Sequence, residues 1–327
     1  MHAYILRRLL IGSFTLTLVS ILVFGLIRAM PGDPASLEAV GTGIGDTDVT
    51  AQQLAEWRKA YGLDKSWPLA YLDWARSLLT GDLGSSFRHR RPVSELILEA
   101  AGPTLLLSVT SIALAYLISV PLGLYSSHRS GRSDERAVTA VLYMLYSCAS
   151  YVVAIYLLLL FSVKLGWFPV FGMRSPDFDR LPAALQTLDL LWHMTLPVAC
   201  TTYAALAYNT RFIRSTLGEV SRQDYIRTAR AKGLSELAIL WRHSFRNALI
   251  PFVTMIGLSF PALLSGSVII ERIFAWPGMG RLFFDALLYR DYPLIMGLTM
   301  TFSILVVAGT LLADLLYVAV DPRISYS

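Results

Sequence analysis

Residues able to do chemistry are sparse in this 327-residue chain. His193, with a nearby serine, is the one loose match to a nucleophile and base, and its apolar run holds no orienting acid. Cys148 and Cys200 lie inside apolar runs, form no CxxC pair, and read as small buried hydrophobes. Gly41-Thr42-Gly43-Ile44-Gly45 has the outline of a phosphate cradle but lacks the strand, helix and lysine that would make one, so it reads as loop. No GxxxxGK[ST], HExxH or GxSxG occurs, and no residues have metal-ligand spacing. Catalysis, resident cofactors and metal ions are therefore not expected.

The densest set of ionisable groups is basic: Ser221-Arg222-Gln223-Asp224-Tyr225-Ile226-Arg227-Thr228-Ala229-Arg230-Ala231-Lys232-Gly233-Leu234-Ser235. The chemistry open to such a set is docking. Ser221 with Asp224 has the form of a capping box, predicting a helix of about three turns that ends at Gly233. Leu234, Leu237, Ala238, Trp241 and Phe245 then recur at helical spacing, predicting a second, amphipathic helix. A DNA-reading helix-turn-helix has a similar outline, but this one is tethered between apolar runs, so no nucleic acid is expected. From the residues alone, a solvated basic loop and a docking element both remain open.

The elements that must position this segment are membrane spans. The chain is 55% hydrophobic and 16% charged, against about 25% charged in soluble domains. Its apolar residues fall in runs free of Lys, Arg, Asp and Glu: Leu9 to Ile27, Ala100 to Ser127, Ala137 to Val163, Leu190 to Thr210, Asn247 to Ile270 and Tyr292 to Ala313. Each approaches the ~20 residues that a bilayer core requires. About six spans are expected, the first a retained anchor rather than a signal peptide. Pro121, Pro197 and Pro261 interrupt spans, and Ser259, Ser265, Gly266 and Ser267 thin the fifth; together they favour a moving bundle with a path through it. Arg7, Arg8, Arg129, Arg132, Arg136 and the basic segment at 222–246 share one side, which is cytoplasmic by the positive-inside rule. Both termini are then inside and Pro31 to Glu99 outside. In that outer segment Val49 to Tyr61, with Thr50 as N-cap, and Pro68 to Leu79 read as amphipathic helices punctuated by Gly62, Gly81 and Gly84. The fold class is all-α membrane protein, divided into 1–99 (first helix plus outer segment) and 100–327 (a five-helix core with the cytoplasmic docking element). Few ionisable groups lie within the runs, which argues against a proton-coupled pump. Energy must then come from a partner. A passive channel would not need the docking element, and an intramembrane hydrolase or lipid transferase would need converging nucleophile and base groups.

The stretch Asp224 to Leu234, followed by His243-Ser244-Phe245-Arg246-Asn247-Ala248-Leu249-Ile250-Pro251, resembles the permease subunit of bacterial ABC importers of the dipeptide, oligopeptide and nickel group. The resemblance continues in order along nearly the whole chain. It takes in Arg8-Leu9-Leu10, Pro31-Gly32-Asp33-Pro34, Tyr61-Gly62-Leu63-Asp64, Gly81-Asp82-Leu83-Gly84-Ser85-Ser86-Phe87, Gly166-Trp167-Phe168-Pro169 and His193-Met194-Thr195-Leu196-Pro197. It ends with Glu271-Arg272-Ile273-Phe274-Ala275-Trp276-Pro277-Gly278-Met279-Gly280, Arg290-Asp291-Tyr292-Pro293 and Asp321-Pro322-Arg323. The N-terminal arrangement resembles the first of two paired permeases. The resemblance implies half of a translocation pore, paired with a second, homologous permease and driven by two cytosolic ATP-binding subunits. A separate extracytoplasmic binding protein would deliver the cargo. ATP would be held by those partners. Asp224, Tyr225, Arg227, Thr228, Ala229, Arg230, Lys232, Gly233 and Leu234 would form the helix that couples to the ATPase. Gly233 and Ala229 match the family motif. Arg227 stands where importers in general carry glutamate and Thr228 where they carry alanine, a variant common in the peptide group. Ala149 replaces an expected proline, which puts a kink at that point in question. Peptide cargo is implied first, with nickel or another small solute as the alternative.

Overall fold

The computed structural model describes residues 2–29, 65–235, 238–239, 255 and 267–320. Among them the regular structure is helical, as the apolar runs require; the one ladder contact is an isolated bridge between Ser85 and Pro92. In chain order the helices are α1 (His2–Ala29), α2 (Trp67–Leu79), α3 (Val93–His128), α4 (Ser133–Ser147), α5 (Ser150–Leu157), α6 (Ala183–Ser221), α7 (Asp224–Ala231), α8 (Val268–Ile273), α9 (Met279–Leu288) and α10 (Tyr292–Val320). A π-helical turn at Leu158–Lys164 extends α5.

Among the described residues four helical stretches are long and apolar enough to cross a bilayer: Leu6–Ala29, Val93–His128, Ala183–Ser221 and Tyr292–Leu312. One further pair of helices is long and apolar enough only when taken together, and it is bent. Ser133–Ser147 and Ser150–Lys164 meet at an angle of 92°, so the expected continuous run from Ala137 to Val163 is two helices. The bend forms without the proline. Cys148 and Ala149 are both extended, with ψ of 126° and 132°. The Tyr203 hydroxyl donates to the Cys148 carbonyl at 3.0 Å. The Ala149 carbonyl accepts the first N–H groups of α5, from Val152 and Val153. Two extended residues with satisfied carbonyls do the work of a proline here. The expected run from Asn247 to Ile270, with Pro261 and its small residues, lies almost wholly outside the described residues, as do the expected helix at Val49 to Tyr61 and the glycine loop at 41–45.

The chain forms two compact units. The first comprises Met1–Glu99 and Leu282–Ile304. In it α2 begins with Pro68 in its first turn and lays aromatic residues on α1. The Phe24 ring lies 6.2, 5.6 and 5.8 Å from those of Trp67, Tyr71 and Trp74, and Ser20 hydrogen-bonds the Tyr71 hydroxyl. Amphipathic rings of this kind suit a membrane–water boundary. Gly297 of α10 packs so closely on Val93 that a Cβ would approach its side chain to 2.6 Å.

The second unit comprises Ala100–Arg281 and Leu305–Ser327. It is built on α3 and α6, which carry Pro103 and Pro121 and Pro197 within their lengths. Gly123 brings these helices together: a Cβ there would meet Ile213 at 2.4 Å. Close approach at a small residue is how helices associate where lipid removes the hydrophobic drive. Ser111 on α3 bonds Thr201, and its carbonyl accepts from Thr202. Leu107, Met194 and Trp276 form a buried cluster, in which the Trp276 indole N–H donates to the Pro103 carbonyl at 2.9 Å.

Candidate coupling site

The basic segment expected to dock begins two residues beyond α6. Arg222 and Gln223 form a tight turn, with N–H groups bonded to the Glu219 and Val220 carbonyls. The N-cap of α7 is Gln223, with extended backbone and no side-chain cap. Ser221 belongs to α6 and donates to the Gly218 carbonyl. The expected capping box is therefore absent, because α6 runs through Ser221 and α7 begins only at Asp224, two residues too late for Ser221 to be its N-cap. The helix is also shorter than expected, eight residues rather than about three turns.

Its end matches the sequence reading. Gly233 has φ +78°. The Gly233 N–H bonds the Arg230 carbonyl at 2.9 Å, and the Leu234 N–H reaches the Ala229 carbonyl at 3.3 Å. These are the two bonds of a Schellman motif, in which the left-handed residue lets the chain turn back over the last helical carbonyls. Ile226 and Ala229 face inward and form a small buried cluster with Ile239. Asp224, Tyr225, Arg227, Thr228, Arg230, Lys232, Gly233 and Leu234 are all exposed. So eight of the nine expected coupling residues can meet a partner. Ala229 cannot; its role is to seat the helix. On the exposed side Arg227 lies 3.5 Å from the Asp224 carboxylate, and the Thr228 hydroxyl folds back on the Asp224 carbonyl. What α7 presents is a short, mainly cationic ridge with Tyr225 and Leu234 at its two ends.

Three buried carboxylates escaped the sequence reading. Glu135, in the first turn of α4, is almost fully buried and sits 2.6 Å from Arg214 of α6. It also accepts from the Thr139 hydroxyl and the Gly131 N–H. Glu271 of α8 has no exposed surface. It takes hydrogen bonds from the Thr104 hydroxyl at 3.1 Å and from the Gly280 and Arg281 N–H groups at 2.8 and 3.1 Å. Burial pushes its carboxyl above the usual range, and these donors pull the other way. Gly278 and Gly280 leave room for this arrangement, since a Cβ on either would come within 3.0 Å of the carboxylate. Asp291 gathers a loop of the first unit: the Ser86 hydroxyl and the Phe87, Arg88 and Leu294 N–H groups all donate to it. Each of these carboxylates stands at the border of an apolar run, where a charge reads as loop. The signal that could have found two of them is the glycine and aspartate patterning of the family motifs around Glu271 and Asp291.

His193 does have an acid nearby, contrary to expectation. Asp189 lies one turn earlier on α6, with its carboxylate 3.6 Å from Nδ1, while Nδ1 also meets the Asp189 carbonyl at 2.8 Å. The expected run began one residue after Asp189 and so missed it. The serine here, Ser175, donates to Asp189 rather than to His193, so the group lacks the serine-to-histidine bond of a nucleophile and base.

Two family descriptions match the chain. Residues 119–326 match the binding-protein-dependent transport system inner membrane component, and residues 1–108 match the N-terminal membrane component of the same systems. The chain belongs to this family. It is the inner-membrane permease component of a binding-protein-dependent importer of the ABC class, a multi-pass protein of the inner membrane. The permease is 39% identical over 327 residues to the oligopeptide transport system permease protein AppB of Bacillus subtilis, covering all of both chains. It is 38% identical over 323 residues to the glutathione transport system permease protein GsiC of Salmonella choleraesuis, covering 99% of each. A chain of the inward-facing MetNI methionine ABC transporter superimposes with a TM-score of 0.55 at 18% identity, covering 70% of the permease and 97% of that chain. That likeness is one of fold.

Proposed function

We propose that this permease carries peptides and takes its energy through α7. Peptide cargo is supported by full-length relatives named for oligopeptide and glutathione transport, glutathione being itself a small peptide. Nickel complexes and other small solutes are the alternative cargo. The partners are a second, homologous permease completing the pore, two cytosolic ATP-binding subunits, and an extracytoplasmic binding protein. ATP binds the partner subunits, since this chain has no GxxxxGK[ST] loop. Residues 1–99, the first membrane helix with the outer segment, and the five-helix core, 100–327, divide the work between the delivery side and the path. Asp224, Tyr225, Arg227, Thr228, Arg230, Lys232, Gly233 and Leu234 contact the ATP-binding subunit, and Ala229 fixes the helix that bears them.

The observation that carries this reading is the construction of α7. It is a short cationic helix, anchored by Ile226 and Ala229, closed by a left-handed glycine, and joined to α6 by only two residues. A solvated loop that merely obeys the positive-inside rule needs none of these. The test is transport of a labelled tripeptide by the reconstituted complex of both permeases, both ATP-binding subunits and the binding protein. Uptake that requires ATP and the loaded binding protein is expected. Uptake of nickel but not of peptides would overturn the cargo; uptake without the ATP-binding subunits would overturn the coupling.

A further inference from the structure

We infer that the half-buried Glu135–Arg214 pair is a positioning contact through which movement of α7 reaches α4. The inference rests on the coupling role proposed for α7. Arg214 stands on α6 seven residues before its last residue, Ser221, which is about 10 Å of unbroken helix. Beyond Ser221 only Arg222 and Gln223 intervene, both hydrogen-bonded back onto α6. A tilt imposed on α7 therefore passes to α6 without a flexible joint.

The hairpin on the receiving side is itself stiff. Arg129 and Asp134 form an ion pair, the Tyr125 hydroxyl donates to the same carboxylate, and Gly131 makes the turn at φ +88°. Glu135 follows directly. Its carboxylate meets Arg214 at 2.6 Å, and the same Arg214 nitrogen reaches the Thr139 hydroxyl at 3.4 Å. Packing at Gly123 and Ile213 joins α3 to α6, and the polar tie from α4 to α6 is a carboxylate with 3% of its side chain exposed and a guanidinium with 33% exposed. Beside that point is a cavity lined in part by Ser126, Thr139, Tyr143, Thr210 and Arg214. The Ser126 and Thr210 hydroxyls, both buried, have no protein partner there. The contact thus stands beside a cavity, which leaves α4 room to shift around it as α6 tilts. A buried pair adds little net stability over an apolar replacement; what it adds here is a fixed register between α4 and α6.

The test uses the reconstituted complex and reads tripeptide transported per ATP hydrolysed. Glu135→Gln keeps the side chain's size and one of its two acceptor oxygens and removes the ion pair. It should assemble, hydrolyse ATP, and transport roughly tenfold less per ATP, within the range of coupling between linked sites. Arg214→Lys keeps a cation for Glu135 and should stay close to wild type, whereas Arg214→Gln should match Glu135→Gln. If Arg214→Gln fails to assemble, Glu135→Gln decides. Wild-type transport per ATP in Glu135→Gln would overturn the inference, as would equal loss in Arg214→Lys and Arg214→Gln. Gly233→Val separates the two levels of the argument. If it is impaired while Glu135→Gln is normal, only the role of the Glu135–Arg214 pair is lost. If both are normal, the coupling role of α7 falls as well.

Discussion

Replacing Gly233 by asparagine, alanine and valine separates backbone strain from bulk at the end of α7. Within the permease no described atom lies within 4 Å of where a Cβ would sit, so a small side chain meets nothing of its own chain. The penalty comes from φ, which at +78° is a conformation that L-residues adopt at a cost of ~1–2 kcal/mol. That range corresponds to a factor of roughly 5–30 in the population of the closed turn. Asparagine tolerates this region best, alanine bears the full penalty, and a β-branched valine more still. The expected order of impairment is Asn, then Ala, then Val, although asparagine is larger than alanine. The assay is ATP hydrolysis by the reconstituted complex, with and without loaded binding protein. Stimulation should fall in that order, while membrane insertion and pairing with the second permease stay intact. Greater impairment by asparagine than by alanine would refute the conformational argument. Full stimulation in Gly233→Val would refute the assignment of α7 as the coupling element.

Other outcomes follow from the buried carboxylates and the orientation. Gly280→Ala would place its Cβ 2.8 Å from the Val268 Cα, an overpacking that costs ~1–3 kcal/mol; the unfolding midpoint of the purified complex should fall more than for Gly233→Ala. Asp291→Ala strips the acceptor from the Ser86, Phe87 and Arg88 donors and should destabilise by ~3 kcal/mol or more; an unchanged thermal midpoint would contradict that. Single cysteines at the exposed positions Ser66 and Ser235 should label from opposite sides of intact cells, and labelling from one side would sink the orientation.

Much of the fold was legible because lipid leaves so few options. The runs from Leu9, Ala100, Leu190 and Tyr292 became α1, α3, α6 and α10, since a charge-free run of that length must satisfy its backbone internally. The bend at Cys148 and Ala149 was not legible: its stabilising contact comes from Tyr203, on another helix. The turn at Gly233 could be read directly, as glycine after a basic helix specifies a left-handed cap. The N-cap could not, because whether Ser221 caps α7 depends on where α6 stops. Least visible were Glu135, Glu271 and Asp291. The partners that justify burying them are mostly distant in sequence: Thr104 is 167 residues from Glu271, and Ser86 is 205 from Asp291.

The central claim is that α7 of this permease seats on an ATP-binding subunit, and crosslinking tests it most directly. A photoreactive amino acid in place of Tyr225, which is 42% exposed, would be activated in the purified complex of permeases, ATP-binding subunits and binding protein. The account predicts an adduct with the ATP-binding subunit whose yield changes when ATP is bound. An adduct with the second permease or the binding protein instead, or none with the ATP-binding subunit in a complex that transports, would contradict it.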